Sequence, residues 1–234
     1  MDPKQLALVQ GMADTRATFA RWNAAPGPVV RTWVLGSLGV AIALLVAVTL
    51  VGAWTTPDTS TLRIPGLNHP AGVGDVARVL LRNGLVLLLH ALACVAGFIA
   101  GSSLPLQASH HRGQWRLVHE HAGPAAIVFV VCATLFSLVT QAFVLGADAA
   151  TLARQLDLPL PVFMLTVLPH ALPELVALFL PLAAWTLASR RGRWDELLAA
   201  TFATSALAVP VLVVTANIEV FLWPRLLAAV SPVA

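Results

Sequence analysis

Long apolar stretches alternate with short polar segments along this chain. Four stretches contain no Asp, Glu, Lys or Arg, and each can supply the roughly 20 apolar residues that cross a bilayer core about 30 Å thick. Because lipid offers no hydrogen-bond partners, the backbone of each stretch must pair with itself, so we expect helices. The uncharged stretches are residues 32–57, 83–111, 121–147 and 197–218, and the spans predicted around them lie at about 32–54, 80–101, 123–147 and 197–219.

A fifth apolar region has Glu174 as its only formal charge and is interrupted by prolines. It is too long for one upright helix and too short for two full spans joined by a turn. Proline removes a backbone donor and disfavours helix in the residue before it. We therefore expect a helix break at Pro169 and Pro173. The break separates a re-entrant half-helix at about 158–169 from a full span at about 171–188.

The basic residues indicate how often the chain crosses the membrane, because cytoplasmic loops carry an excess of Lys and Arg. If the fifth region crosses once, nine of the 14 Lys and Arg residues lie on the side of the N-terminus, whereas a double crossing divides them evenly. We therefore predict five spans in a plasma membrane, with a cytoplasmic N-terminus and an external C-terminus. The nine residues are Lys4, Arg16, Arg21, Arg31, Arg112, Arg116, Arg190, Arg191 and Arg193.

The composition excludes several classes of protein. Hydrophobic residues make up 58% and charged residues 11% of the 234 positions, whereas soluble domains carry about 25% charged residues. An ordinary soluble enzyme, a disordered chain and a disulfide-stapled secreted module are therefore excluded. The net charge of +3 does not indicate nucleic-acid binding, because no basic run exceeds Arg190-Arg191.

The predicted fold is all-α, a polytopic transmembrane helix bundle of about five spans in a lipid bilayer. A single transmembrane domain is expected over residues 31–234. Residues 1–30 are expected to contain a cytoplasmic interfacial helix, since apolar residues recur there at helical spacing. A helix packed against the protein's own cytoplasmic side is the alternative.

Polar side chains inside membrane spans are costly, so each needs a reason. His170 and Glu174 are four residues apart and share one helix face. A helix start near Pro169 would favour the Glu174 carboxylate through its free N–H groups and the positive end of its dipole. Three interpretations stay open: a capping carboxylate beside a satisfied histidine, a polar cavity, gate or proton path, and a metal site.

Other polar residues lie in or beside the second and last predicted spans. Asn83 is expected to hydrogen-bond across helices, and His90 to be a core histidine. Glu219 is either an interfacial acid or a partner of His170 or Arg82 inside the bundle. The complete set of intramembrane candidates is Arg82, Asn83, His90, His170, Glu174, Asn217 and Glu219.

Two further patterns predict contacts. Ala93, Gly97 and Gly101 recur at every fourth position and permit close helix packing, either within the chain or at a homodimer seam. A predicted cytoplasmic loop is expected to lie on the membrane or to contact a cytosolic partner through a short amphipathic helix. The loop residues expected to make this contact are Arg112, Trp115 and Arg116.

Catalytic signatures are absent from the sequence. It contains no nucleophile elbow, Walker loop, HExxH or paired catalytic aspartates. We therefore expect no enzymatic activity, no cofactor, no resident metal and no ATP hydrolysis by this chain itself.

Three stretches resemble a known family. The sequences LLRNGLVLLLHALACVAGFIAG, VLPHALPELVALFLPLAAWTLASRRG and TANIEVFLWP are similar to the second span, the strongest motif and the terminal motif of the stage II sporulation protein M-like family. Together they cover roughly residues 75–101 and 165–225, with Ala171 where that family usually has glycine. The resemblance implies a helical membrane protein of about five spans without known catalytic activity. The sporulation member of that family works with cell-wall hydrolases during membrane engulfment.

Three functions follow as candidates. The first is a non-enzymatic membrane subunit of a multiprotein complex, a homodimer or hetero-oligomer that acts in transport or membrane remodelling. Its arrangement looks like that of exporter permeases that work with a cytosolic ATP-binding-cassette ATPase. The second is an intramembrane metal-dependent hydrolase using His90, His170, Glu174 and Glu219. The third is a proton or small-solute channel that depends on Glu174.

Overall fold

The structure is a computed structural model that describes residues 7–104 and 114–233, with the backbone alone for residues 7, 8, 103, 114–123 and 126. Its α-helices are α1 (Ala7–Asn23), α2 (Pro26–Trp54), α3 (Val73–Phe98), α4 (Gln114–Gln155), α5 (Leu160–Arg190), α6 (Leu197–Asn217) and α7 (Trp223–Val230). Short turns of other helix types follow α3 (Ile99–Ser103), precede α6 (Trp194–Glu196) and join α6 to α7 (Ile218–Leu222).

In the part of the chain that the structure describes, five helical segments are long and apolar enough to cross a membrane. The all-α fold and the five spans predicted from hydropathy are therefore confirmed, and the chain has the form of a multi-pass membrane protein. Several segments extend beyond the predicted ends, because the helices continue into the residues that flank the predicted spans. The segments are Pro26–Trp54, Val73–Ser102, Ile127–Gln155, Leu160–Arg190 and Trp194–Val230.

The expected helix break at Pro169 and Pro173 is wrong, and so is the separate re-entrant half-helix at about 158–169. The helix α5 continues through all these positions for 31 residues. A proline inside a helix leaves the carbonyl four residues earlier without its donor. Local adjustment and neighbouring helices compensate for this loss in spanning helices. A single long helix can be accommodated by tilting, so the region crosses once, as the basic residues indicate.

The helices pack into two compact units. The first contains the described parts of Met1–Ser37, Val86–Thr134 and Leu178–Ala208, and the second those of Leu38–Leu85, Leu135–Ala177 and Val209–Ala234. Each of the helices α2 to α6 contributes residues to both units. The prediction of a single domain over residues 31–234 stays a prediction.

Close helix packing in the first unit involves the small-residue pattern of α3 and of the turn Ile99–Ser103 that follows it. A Cβ atom added to Gly97 would lie 2.7 Å from the Trp185 indole nitrogen. A Cβ atom added to Gly101 would overlap the indole ring of Trp194. Ala93 is buried. The close approach that this pattern permits is therefore made within the chain.

The helix α1 docks within the first unit through a charged cluster. The buried carboxylate of Glu196 accepts hydrogen bonds from Arg21 on α1, at 3.0 Å, and from Arg193. Partial burial and the neighbouring Asp195 carboxylate raise the pKa of Asp14 on α1, although Arg21 opposes the shift. α1 is thus held by the chain's own residues, while its contact with a membrane surface stays a prediction.

The second unit contains a close helix contact and an ordered loop. A Cβ atom on Gly52 of α2 would lie 3.0 Å from the carbonyl oxygen of Gly146 on α4. The side-chain amide of Gln155 accepts a hydrogen bond from the Leu62 N–H and donates one to the Leu62 carbonyl, at 2.9 and 3.0 Å. These bonds fix the loop between α2 and α3 so that its residues 62–65 form part of a cavity wall.

Candidate functional site

A cavity of about 370 Å³ lies within the second unit, and we call it the acidic cavity. Side chains from α2 to α5, from loop residues 62–65 and from the segment after α6 line it, and most of them are apolar. Its charged and imidazole groups belong to Arg63, Arg82, Asp148, His170, Glu174 and Glu219. Polar groups placed at membrane depth are the usual marks of a functional site.

Glu174 is the buried acid of this cavity. Only 8% of the residue is exposed, and its Oε2 atom has no hydrogen-bond partner in the described part of the chain. Asn83 on α3 and Thr215 on α6 lie beside the carboxyl group. The Thr215 hydroxyl also donates to the Leu212 carbonyl at 3.2 Å. Glu174 thus lines the acidic cavity with a buried carboxylate oxygen that has no hydrogen-bond partner among the described residues.

His170 lies one helical turn before Glu174 on the same face of α5, as their spacing predicts. Its ring centroid lies 5.3 Å from that of Trp223, which in turn lies 6.1 Å from the ring of Phe163. The Trp223 indole N–H donates to the Thr166 hydroxyl oxygen at 3.2 Å. These contacts form an aromatic wall beside the buried carboxylate.

Arg82 and Glu219 form an ion pair at the acidic cavity, with 3.6 Å between Nη2 and Oε1. The arginine side chain is 63% exposed and that of the glutamate 20%. Partial exposure weakens such a pair by solvent screening. Of the two alternatives for Glu219, the structure shows the pairing with Arg82. This guanidinium is consequently engaged at the edge of the site, while Glu174 occupies its buried part.

Two candidates lie apart from this cluster. Asn217 is exposed, and its side-chain amide donates to the carbonyl of Val213 on its own helix at 2.7 Å. His90 belongs to the first unit, where its ring packs edge-on against Phe179 with centroids 5.5 Å apart. The side chains of Trp115 and Arg116 and the whole of Arg112 lie outside the described residues.

The described residues also bear on the metal-site interpretation. Among them, no group of three or more His, Cys, Asp and Glu side chains is placed to hold a metal ion. A catalytic zinc site uses three protein ligands and one open position. The metal-dependent hydrolase stays an untested alternative.

Five residues of the site were not among the sequence candidates, and two of them, Arg63 and Asp148, are charged residues of the lining. Trp223 resembles a membrane-interface tryptophan in the sequence, but its ring lines the acidic cavity. Phe163 lies in an apolar stretch, where the sequence does not distinguish it from its neighbours. Thr215 precedes Glu219 by four positions, and this spacing could have indicated a shared face.

The part of the chain that matches a known family contains most of the charged and imidazole groups of this site. Residues 122–224 match the family described as stage II sporulation protein M. These residues are similar to that family. The resemblance seen in the second and third motifs is thereby confirmed. The matched residues include His170, Glu174 and Glu219, whereas Arg82 and Asn83 lie outside them. No curated protein and no solved structure gives a significant match.

Proposed function

We propose that this chain is a non-enzymatic membrane subunit of a multiprotein complex and that it acts as a permease-like component handling a small polar or charged solute. The observation that carries the proposal is the buried Glu174 carboxylate facing a cavity between apolar, span-length helices. Burying an acid at membrane depth is costly, and such residues commonly mark solute or ion pathways. A purely structural subunit has no need of a buried carboxylate oxygen without a hydrogen-bond partner.

Orientation follows from the charge distribution. The proposal places the protein in the plasma membrane with its N-terminus in the cytoplasm. In this orientation the loop between α2 and α3 lies outside the cell. Because residues 62–65 of that loop line the acidic cavity, the proposal gives the solute access from outside the cell.

Energy for transport would come from a partner. The sequence contains no Walker loop, and its one lysine is Lys4. A nucleotide-driven step therefore requires a cytosolic ATPase. We propose that an ATP-binding-cassette ATPase contacts the segment with Arg112, Trp115 and Arg116, in a complex that includes a second copy of this chain or another membrane subunit.

The test is affinity purification of the tagged chain from its native membranes in mild detergent, followed by mass spectrometry and measurement of ATP hydrolysis. We expect a cytosolic ATPase to co-purify, and Trp115→Ala with Arg116→Ala to reduce its yield about tenfold or more, the loss produced by removing roughly 1.4 kcal/mol of contact energy. Arg225→Ala, an exposed arginine on α7, is the matched control and should retain the ATPase. Recovery of the chain as a lone monomer would contradict the proposal.

A further inference from the structure

We propose that the acidic cavity binds a small amphipathic organic cation, such as a protonated primary amine with an apolar body, and that Glu174 pairs with its ammonium group. The inference rests on the proposed function, because it names the chemical class of the solute. Its support comes from the charges, the walls and the volume of the acidic cavity.

The charges of the acidic cavity are arranged by depth. Arg63 and Asp148 are exposed and of opposite sign, and Arg82 is paired with Glu219. Glu174 is the one buried acid of the lining, and its Oε2 atom has no hydrogen-bond partner among the described residues. A buried carboxylate is stabilised by a charge-assisted hydrogen bond from a cation. The buried part of the site therefore favours a positively charged group.

The walls suit an apolar body rather than a hydrated ion. Val48, Met164 and Leu175 are buried residues of the lining. The rings of Phe163 and Trp223 add aromatic surface, which attracts cations through the ring quadrupole. A divalent cation such as calcium needs six to eight oxygen ligands, and the three acidic residues of the lining are not grouped so that they could hold a metal ion together.

The volume of the acidic cavity favours an organic solute over a proton as its ligand. About 370 Å³ falls within the roughly 300–1,000 Å³ typical of small-molecule pockets. A proton path needs a chain of exchangeable groups and no such apolar space. His170, with its Nδ1 atom unpartnered among the described residues, lies beside Glu174 and offers a second polar group to an amine substituent.

The experiment compares three ligands with one apolar body and different charges. Phenethylammonium, neutral 2-phenylethanol and phenylacetate are titrated calorimetrically into the full chain in lipid nanodiscs. We expect phenethylammonium to bind about tenfold or more tightly than 2-phenylethanol, since one charge-assisted contact contributes at least about that factor. Phenylacetate is expected to bind most weakly.

Variants identify the group that supplies this preference. Glu174→Gln keeps the shape of the side chain and should abolish the preference for phenethylammonium, while the affinity for 2-phenylethanol changes less than about twofold. Glu174→Asp should restore part of the preference. Asp157→Asn makes the same acid-to-amide change at an exposed turn residue outside the acidic cavity and should leave all three affinities unchanged. Thermal unfolding of each variant confirms that it is folded.

Several outcomes would overturn the inference. Equal affinity for the amine and the alcohol, preference for phenylacetate, or an unchanged preference in Glu174→Gln each contradicts a cation site at Glu174. Proton flux into proteoliposomes that Glu174→Gln abolishes, without any amine binding, would replace it by the channel alternative. Co-purification of an ATPase is measured independently, so the proposed membrane-subunit function can stand while the solute class fails.

Discussion

Substitution of Gly101 by alanine is expected to lower the apparent unfolding temperature of the purified protein by several degrees. The added Cβ atom would overlap the Trp194 ring at its base, where rotation about the side-chain bonds gives little relief. Overpacking of this kind costs about 1–3 kcal/mol, and such a loss shifts the midpoint by roughly 2–4 °C per kcal/mol in a chain of this size. Thermal denaturation in detergent, followed by tryptophan fluorescence, measures the change.

Gly84→Ala is the matched control for this prediction. Gly84 lies on α3, and a Cβ atom added there meets no atom within 4 Å. Because alanine is a better helix former than glycine by about 1 kcal/mol, the control should be neutral or slightly stabilising. Equal stability of the Gly101 and Gly84 variants would show that the Trp194 contact does not constrain this helix.

Substitution of Glu196 by glutamine is expected to destabilise the docking of α1. The Glu196 side chain is 9% exposed and accepts hydrogen bonds from Arg21 and Arg193. Loss of its charge removes two charge-assisted bonds, at a cost of about 1.5–3 kcal/mol in all, because both arginines are half-exposed and can be hydrated. Hydrogen exchange of the α1 amides should accelerate more than that of α2.

Asp195→Asn provides the matched comparison, since it is the adjacent acid and also contacts Arg21. That contact is longer, at 3.5 Å, and the aspartate side chain is 45% exposed. An exposed pair of this kind contributes less than about 1 kcal/mol. Removing its charge also relieves repulsion with Asp14, so the net change should be small. A larger effect from Asp195→Asn than from Glu196→Gln would contradict the central position of Glu196.

The lengths of the apolar stretches predicted the architecture well, because length and hydropathy decide which segments can span a membrane. The five spans and the single crossing of the fifth region follow from apolar run length and from the distribution of arginines. The proline positions were misleading for a physical reason. Local propensity disfavours helix at Pro169 and Pro173, but a protein environment in lipid penalises a broken backbone more strongly.

The candidate site was predictable only in part. The spacing of His170 and Glu174 places them on one face of a helix, whether that helix begins at Leu160 or near Pro169. The approach of Glu219 to Arg82 depends on how α3 packs against the segment after α6, which one sequence does not reveal. Asn217 lies only two positions from Glu219, yet it bonds its own helix and is exposed. The position of Trp223 in the cavity wall was likewise not predictable from the sequence, since an indole is equally suited to a membrane interface and to a cavity wall.

The most direct test of the central claim is thiol accessibility at two adjacent residues of α5. Met164 is buried and lines the acidic cavity, whereas Leu165 is 64% exposed on the outside of the helix. Each is replaced by cysteine in a chain whose Cys94 and Cys132 are alanine, and intact cells are treated with a charged, membrane-impermeant methanethiosulfonate. If α5 crosses lipid and the acidic cavity opens to the outside, Met164→Cys is modified and Leu165→Cys is protected. Rapid modification of Leu165→Cys with none at Met164→Cys would contradict the account.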